Sequence, residues 1–159
     1  MIEAELMCMN AAHALGLCEP YEYVSQEQQG DKTSEVSALR IPRFDVSAQG
    51  GRYHRLSFET LLAHPERQVG YADLARLMDA CSATPDADKE KLFVHALLNV
   101  FVGNTDDHLR NFSMRYQQGL GWQLSPSYDI TPADQEWPSS SGDINARHDL
   151  FLLGCQDRP

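Results

Sequence analysis

The chemistry in this chain is concentrated in eight consecutive residues, Asn104-Thr105-Asp106-Asp107-His108-Leu109-Arg110-Asn111. Asp106 and Asn111 are separated by four residues. That spacing suits phosphoryl transfer: the carboxylate takes the proton of an acceptor hydroxyl, and the amide oxygen ligates Mg²⁺ at the phosphate tail. The loop must aim a base at the acceptor and then return to the metal. A second hard oxygen ligand is at hand in Ser125-Pro126-Ser127-Tyr128-Asp129, where a preceding hairpin would carry Asp129 back beside the loop. A metal hydrolase would instead gather Asp106, Asp107 and His108 around the ion, leaving Asn111 and Asp129 without a task. Asp107 is expected to be solvated and to point away from Asp106. His108 is either a strut that fixes the loop or a phosphate contact. His95, Trp122 and Tyr128 are expected in the core.

Rigid elements must hold such a loop. Thr84-Pro85-Asp86-Ala87-Asp88 is a helix start, with Thr84 as N-cap, Pro85 at the first position and acids at the positive end of the dipole. From Leu92 to Val102 the helix is apolar on nearly all sides, which predicts the buried centre of the domain, and Gly103 ends it. Upstream, Glu3–Leu15 predicts a helix with Leu6, Met9 and Leu15 on one face and Gly16 as its stop. Tyr21–Ser25 and Glu35–Ile41 predict a hairpin turning at Gly30-Asp31. Pro42-Arg43-Phe44-Asp45 leaves it, and Gln49-Gly50-Gly51 is a further turn. Ser57 caps a short helix ending near His64-Pro65, and Tyr71–Cys81 carries Leu74, Leu77 and Met78 at helical spacing. Phe112–Tyr116 and Trp122–Leu124 flank Gln117-Gln118-Gly119 as a second hairpin. The tail from Pro132 is rich in Pro, Ser and Gly, with a final strand expected over His148–Leu153.

Composition narrows the function classes. The 159 residues carry 13 Lys and Arg against 23 Asp and Glu, a net charge of −10, which disfavours a dedicated nucleic-acid binder. No apolar run reaches the roughly 20 residues of a membrane span, and the N-terminus lacks the basic-then-apolar order of a signal peptide. Cys8, Cys18, Cys81 and Cys155 show no CxxC spacing, so free thiols in a reducing, cytoplasmic setting are expected. The locally basic run Arg40, Arg43, Arg52 and Arg55 is either a solvated hairpin edge or a means of drawing in ATP or an acidic partner.

Asn104-x-Asp106-x-His108-x-Arg110-Asn111, followed by Leu124-Ser125-Pro126-Ser127-Tyr128-Asp129, resembles the C-terminal domain of HipA-type toxin kinases, which carry N-x-D-x-H-x-K-N and then L-(S/A)-P-(A/S)-Y-D. Glu5 to Leu17 resembles the family's helix ahead of the hinge, Arg43-Phe44-Asp45 its E-R-F-D hinge, and Tyr53 to Ser57 the segment before its large-lobe helices. The resemblance runs through nearly the whole chain.

It implies an α+β, protein-kinase-like fold of the HipA type that is partial. Residues 1–45 would be a remnant of the small lobe with hairpin and hinge, and residues 46–159 a mainly helical part of the large lobe. Asp106 would be the catalytic base, with Asn111 and Asp129 the Mg²⁺ ligands. His108 and Arg110 would lie near the nucleotide phosphates, with Leu109 between them also in the nucleotide-binding set. Pro42, Arg43 and Phe44 would meet adenine, Asp45 the ribose side, and Tyr128 the same nucleotide site. Arg110 replaces the family's Lys, a planar fork in place of a point charge, and Pro42 replaces the hinge Glu. The implied cofactors are ATP and Mg²⁺. The implied partners are a protein substrate, such as an aminoacyl-tRNA synthetase, and a HipB-like DNA-binding antitoxin. The family's Gly-rich phosphate loop and phosphate-binding lysine find no match, since Lys32, Lys89 and Lys91 all follow the first helix. The expectation is a kinase fragment truncated at both ends. The alternative is an inactive remnant or a module that binds an antitoxin or partner chain.

Overall fold

A computed structural model describes residues 2–27, 35–63 and 69–132. The turn at Gly30-Asp31, the His64-Pro65 pair, Cys155 and the strand expected over His148–Leu153 lie outside the described residues.

Helix α1 (Ile2–Ala14) ends where Gly16 adopts the left-handed conformation, φ +70°. The Gly16 and Leu17 N–H groups turn back to the carbonyls of His13 and Ala12. Its buried face is Cys8, Met9 and Ala12 rather than the expected Leu6, Met9 and Leu15, and Leu15 is exposed. Strands β1 (Glu22–Glu27) and β2 (Glu35–Arg40) form the expected antiparallel hairpin, with Glu22 opposite Arg40.

Strand β3 (His54–Ser57) was not expected. It precedes the short helix α2 (Phe58–Leu61), which Ser57 caps by accepting the Thr60 N–H. Helix α3 (Tyr71–Cys81) has the expected bounds. Helix α4 runs from Pro85 to Val102, with Thr84 and Gly103 at its two ends. Thr84 makes no side-chain cap; its hydroxyl oxygen instead lies 3.4 Å from Gln123 Nε2. Strands β4 (Ser113–Gln117) and β5 (Gly121–Leu124) are the expected second hairpin, and β3 joins β4 to give an antiparallel sheet in the order β3-β4-β5.

The register explains the division of labour across this sheet. Leu56 faces Met114, which faces Leu124, while Arg55 faces Arg115 and Ser57 faces Ser113. Because side chains alternate across a strand, Met114 and Leu124 go to one face and Arg55, Ser113 and Arg115 to the other. The apolar face packs on α3 and α4 through Phe58, Tyr71, Leu74, Met78, Leu92 and Phe112. A second cluster joins Cys8, Ala12 and Leu17 to Leu98 and Ile130, so α4 is shared between two small cores. It is not buried all round: Phe101 in its last turn is 84% exposed.

Asp88 does more than complement a helix dipole. It is 1% exposed, and its Oδ2 accepts the Leu124 N–H at 2.9 Å and the Ser82 hydroxyl at 2.6 Å, locking the start of α4 to β5.

Candidate functional site

The polar face of the β3-β4-β5 sheet organises the site. Arg55 Nε donates to Ser113 Oγ at 2.9 Å, and Arg55 Nη2 donates to the Tyr128 hydroxyl at 2.7 Å. The Tyr128 hydroxyl spends its proton on the Arg110 carbonyl at 2.7 Å, so Ser113 is the donor in the 2.8 Å bond between Ser113 Oγ and Tyr128. The Tyr128 ring stacks on Phe44, centroids 5.5 Å apart, and the Arg55 guanidinium sits over both rings at 5.2 and 5.5 Å. Arg115 donates to the Phe44 carbonyl at 3.1 Å and lies over the Tyr53 ring. Arg55 and Arg115, opposed like charges, thus find separate partners.

These contacts bring the segment 42–45 against the segment 126–128. Pro42, Arg43, Phe44, Asp45 and Tyr128 line one cleft of about 230 Å³ together with Arg55. Tyr128 is therefore a half-buried cleft wall rather than a core residue, whereas Trp122 does pack on the core. The Arg43 guanidinium grips the Asp45 carboxylate by two bonds, 2.9 and 2.5 Å, which holds Asp45 below the usual carboxylate range. Arg40 pairs with Glu22. With Arg43 and Arg55 also engaged, most of the basic run is spent within the chain.

The loop 104–111 leaves α4 at Gly103, whose φ of +68° turns the chain sharply. Both polar atoms of the Asp106 peptide are then clamped. Its N–H donates to Asn104 Oδ1 at 3.1 Å, and its carbonyl accepts from Asn111 Nδ2 at 3.0 Å. The Asp106 side chain itself is 78% exposed. Asp107 is not the solvated acid expected: it is 3% exposed and accepts a hydrogen bond from the Tyr71 hydroxyl. Its partner lies 36 residues away, so nothing in the local pattern announces the burial.

His108 Nε2 is 3.9 Å from Asp106 Oδ1, and the buried Nδ1 of the same ring has no hydrogen-bond partner among the described residues. Leu109 turns its side chain onto the core. Arg110 is largely exposed, 3.9 Å from Glu59. His95 is the expected core histidine. It bonds to Ser127 Oγ at 2.9 Å, and burial pushes its pKa down to about 4.

Asp129 is exposed between the half-buried Tyr128 and the buried Ile130, at φ +59°. Asp is one of the few residues with a side chain that tolerates this left-handed backbone. The donor chemistry is of the kind Mg²⁺ takes: an exposed carboxylate at 129, and at Asn111, itself 5% exposed, an amide whose nitrogen is bound to the Asp106 carbonyl and whose oxygen is the atom that would ligate. Among the described residues no three His, Cys, Asp or Glu side chains gather closely enough to hold a metal alone. Mg²⁺ sites of this kind complete their shell with water and phosphate oxygens. Asp107, turned into the core, cannot join Asp106 and His108 around an ion.

The family model for the HipA-like C-terminal domain matches residues 1–152. The chain belongs to that family. A provisionally named kinase of Haemophilus influenzae is 26% identical over 111 residues, covering 64% of this chain and 32% of that protein. A second such kinase, from Sinorhizobium fredii, is 26% identical over 137 residues, 80% of this chain and 33% of that protein. Among solved structures, the toxin–antitoxin protein HipA of Shewanella oneidensis MR-1, in complex with HipB and its operator DNA, superposes with a TM-score of 0.65 at 22% identity. The match covers 83% of this chain and 34% of that one. This HipA-like domain is therefore α+β with a partial kinase-like fold, and it spans about a third of the length of the relatives it matches.

No helix among the described residues is long and apolar enough to cross a membrane. Cys8, Cys18 and Cys81 are free thiols, and burial raises the pKa of each.

Sequence reasoning missed Arg55, Ser113 and Arg115 as organisers of the cleft. The signal was present in the alternation of Arg55-Leu56 and Ser113-Met114-Arg115. It missed the supporting residues Tyr71 and Asn99 as well, which read as ordinary positions in apolar helices.

Proposed function

We propose that this HipA-like domain carries the catalytic loop of a serine/threonine protein kinase toxin of a type II toxin–antitoxin system, acting in the cytoplasm. The reaction would transfer the γ-phosphoryl group of ATP to a hydroxyl of a protein. The acceptor oxygen bonds to the γ-phosphorus, the bond from that phosphorus to the bridging oxygen of the departing ADP breaks, and the hydroxyl proton passes to the Asp106 carboxylate. Asn111 and Asp129 would hold Mg²⁺, which when bound neutralises charge on the phosphate oxygens.

Pro42, Arg43 and Phe44 would present backbone to adenine, with Asp45 on the ribose side and Tyr128 as the facing wall. His108 and Arg110 would lie toward the phosphates, and Leu109, with its side chain in the core, has only its backbone to offer. Residues 1–45 would then be small lobe and hinge, and residues 46–159 large lobe. A HipB-like antitoxin is the proposed partner, by analogy with the Shewanella complex. A translation component such as an aminoacyl-tRNA synthetase is the proposed substrate class.

The observation that carries the reading is the bond from the Tyr128 hydroxyl to the Arg110 carbonyl. It joins the Asp106–Asn111 loop to the residue preceding Asp129, beside the cleft that segment 42–45 lines.

Calorimetric titration of Mg²⁺·ATP into the chain and into Asp129→Asn tests it. Asn keeps the left-handed backbone accessible while removing the anionic ligand. Weak binding is expected for the native chain, reduced at least about tenfold in the variant, and retained in Asp106→Asn. Equal affinity in the native chain and Asp129→Asn would sink the metal assignment.

A further inference from the structure

Four hydrogen bonds beneath the loop form a closed circuit. The Asp106 N–H donates to Asn104 Oδ1 at 3.1 Å, and Asn104 Nδ2 donates to Asn99 Oδ1 at 3.1 Å. Asn99 Nδ2 donates to the Tyr71 hydroxyl oxygen at 3.1 Å, and that hydroxyl donates to Asp107 Oδ2. The covalent link between Asp106 and Asp107 completes the ring.

Its direction is not free. A backbone N–H can only donate, so Asn104 must present its oxygen to Asp106 and its nitrogen to Asn99. Asn99 must then accept on its oxygen and donate from its nitrogen, which leaves the Tyr71 proton for the Asp107 carboxylate, an obligatory acceptor when ionised. An obligatory donor at one end and an anion at the other fix every amide between them. Bonds that run in one sense polarise one another. Tyr71, Asn99 and Asp107 are all buried, so a broken link would strand a polar group away from water.

We infer that Asp107 is a positioning residue: through Tyr71, Asn99 and Asn104 it fixes the Asp106 peptide, and so the point from which the exposed Asp106 carboxylate is presented. The circuit anchors the loop to both α3, through Tyr71, and α4, through Asn99. It extends to the proposed metal site, because the Asp106 carbonyl in turn holds Asn111 Nδ2. The bearing on catalysis rests on the kinase reading above, whereas the bearing on loop geometry does not.

Amide hydrogen exchange followed by NMR separates the two. Two variants are compared with the native chain: Tyr71→Phe, which deletes only the hydroxyl, and Asn104→Asp, which keeps an acceptor for the Asp106 N–H but has no N–H for Asn99. The Asp106 amide is expected to exchange about tenfold faster in both, while interior α4 amides such as that of Ala96 shift only with global stability. Mg²⁺·ATP affinity is expected to fall about tenfold in both variants.

Native-like protection of the Asp106 amide in Asn104→Asp would overturn the inference, since the local turn alone would then hold the loop. That variant decides the matter even if Tyr71→Phe does not fold. Should the native chain bind no Mg²⁺·ATP, the kinase reading falls, and the exchange rates still decide whether Asp107 sets the loop.

Discussion

The hydroxyl of Tyr128 donates to the main-chain carbonyl of Arg110 at 2.7 Å, tying the catalytic-type loop to the strand-exit segment that carries Asp129. The same oxygen receives Arg55 and Ser113. Tyr128→Phe keeps the ring stack on Phe44 and removes all three bonds. A loss of about 1–3 kcal/mol is expected in urea unfolding, with weaker Mg²⁺·ATP binding by calorimetry. An unchanged unfolding midpoint would show that the tie does not stabilise the fold.

His95 makes stability depend on pH. Its folded pKa of about 4 lies below the ordinary 6.5, so between those values the unfolded chain binds more protons. Its contribution is fully present above the unfolded value and is lost as pH falls toward the folded one. Urea unfolding at pH 5 should show about 2 kcal/mol less stability from this group than at pH 7. A His95→Gln variant should show a correspondingly flatter profile over that interval. Parallel profiles for the two proteins would remove His95 as the cause.

Asp88 holds α4 to the sheet. Asp88→Ala leaves the Leu124 N–H and the Ser82 hydroxyl without their shared acceptor, and it should cost about 2–4 kcal/mol in chemical denaturation. A loss within about 0.5 kcal/mol, the range of an ordinary surface change, would mean that water replaces the carboxylate at no cost.

Much of this arrangement was legible in the sequence because it is local. Tyr71–Cys81 follows from the 3.6-residue spacing of Leu74 and Met78, and α4 from Pro85 and Gly103 at its two ends. Spacing points to Asp106 and Asn111 in one loop and to Asp129 after a hairpin, whereas residues 42–45, His108, Leu109, Arg110 and Tyr128 enter as candidates only through the resemblance to HipA-type kinases. What stayed hidden depends on partners distant in sequence. Strand β3 is four residues long and becomes a strand by pairing with β4, more than fifty positions later. Asp107 looks like a solvated acid until Tyr71 arrives from α3. Phe101 and Leu15 look like core by hydropathy, but Phe101 lies on an exposed side of α4 and Leu15 in the exposed turn just past α1. Periodicity names a helix's apolar face without saying which neighbours exist to cover it.

The left-handed backbone at Asp129 has a consequence for selection. Glycine relieves that conformation at no steric cost, so Asp129→Gly should yield a chain as sturdy as the original or sturdier, lacking only one carboxylate. A library screened for thermal tolerance would therefore enrich a change that removes the proposed metal ligand. The persistence of an acid at this position would be visible only to a screen for what the protein does.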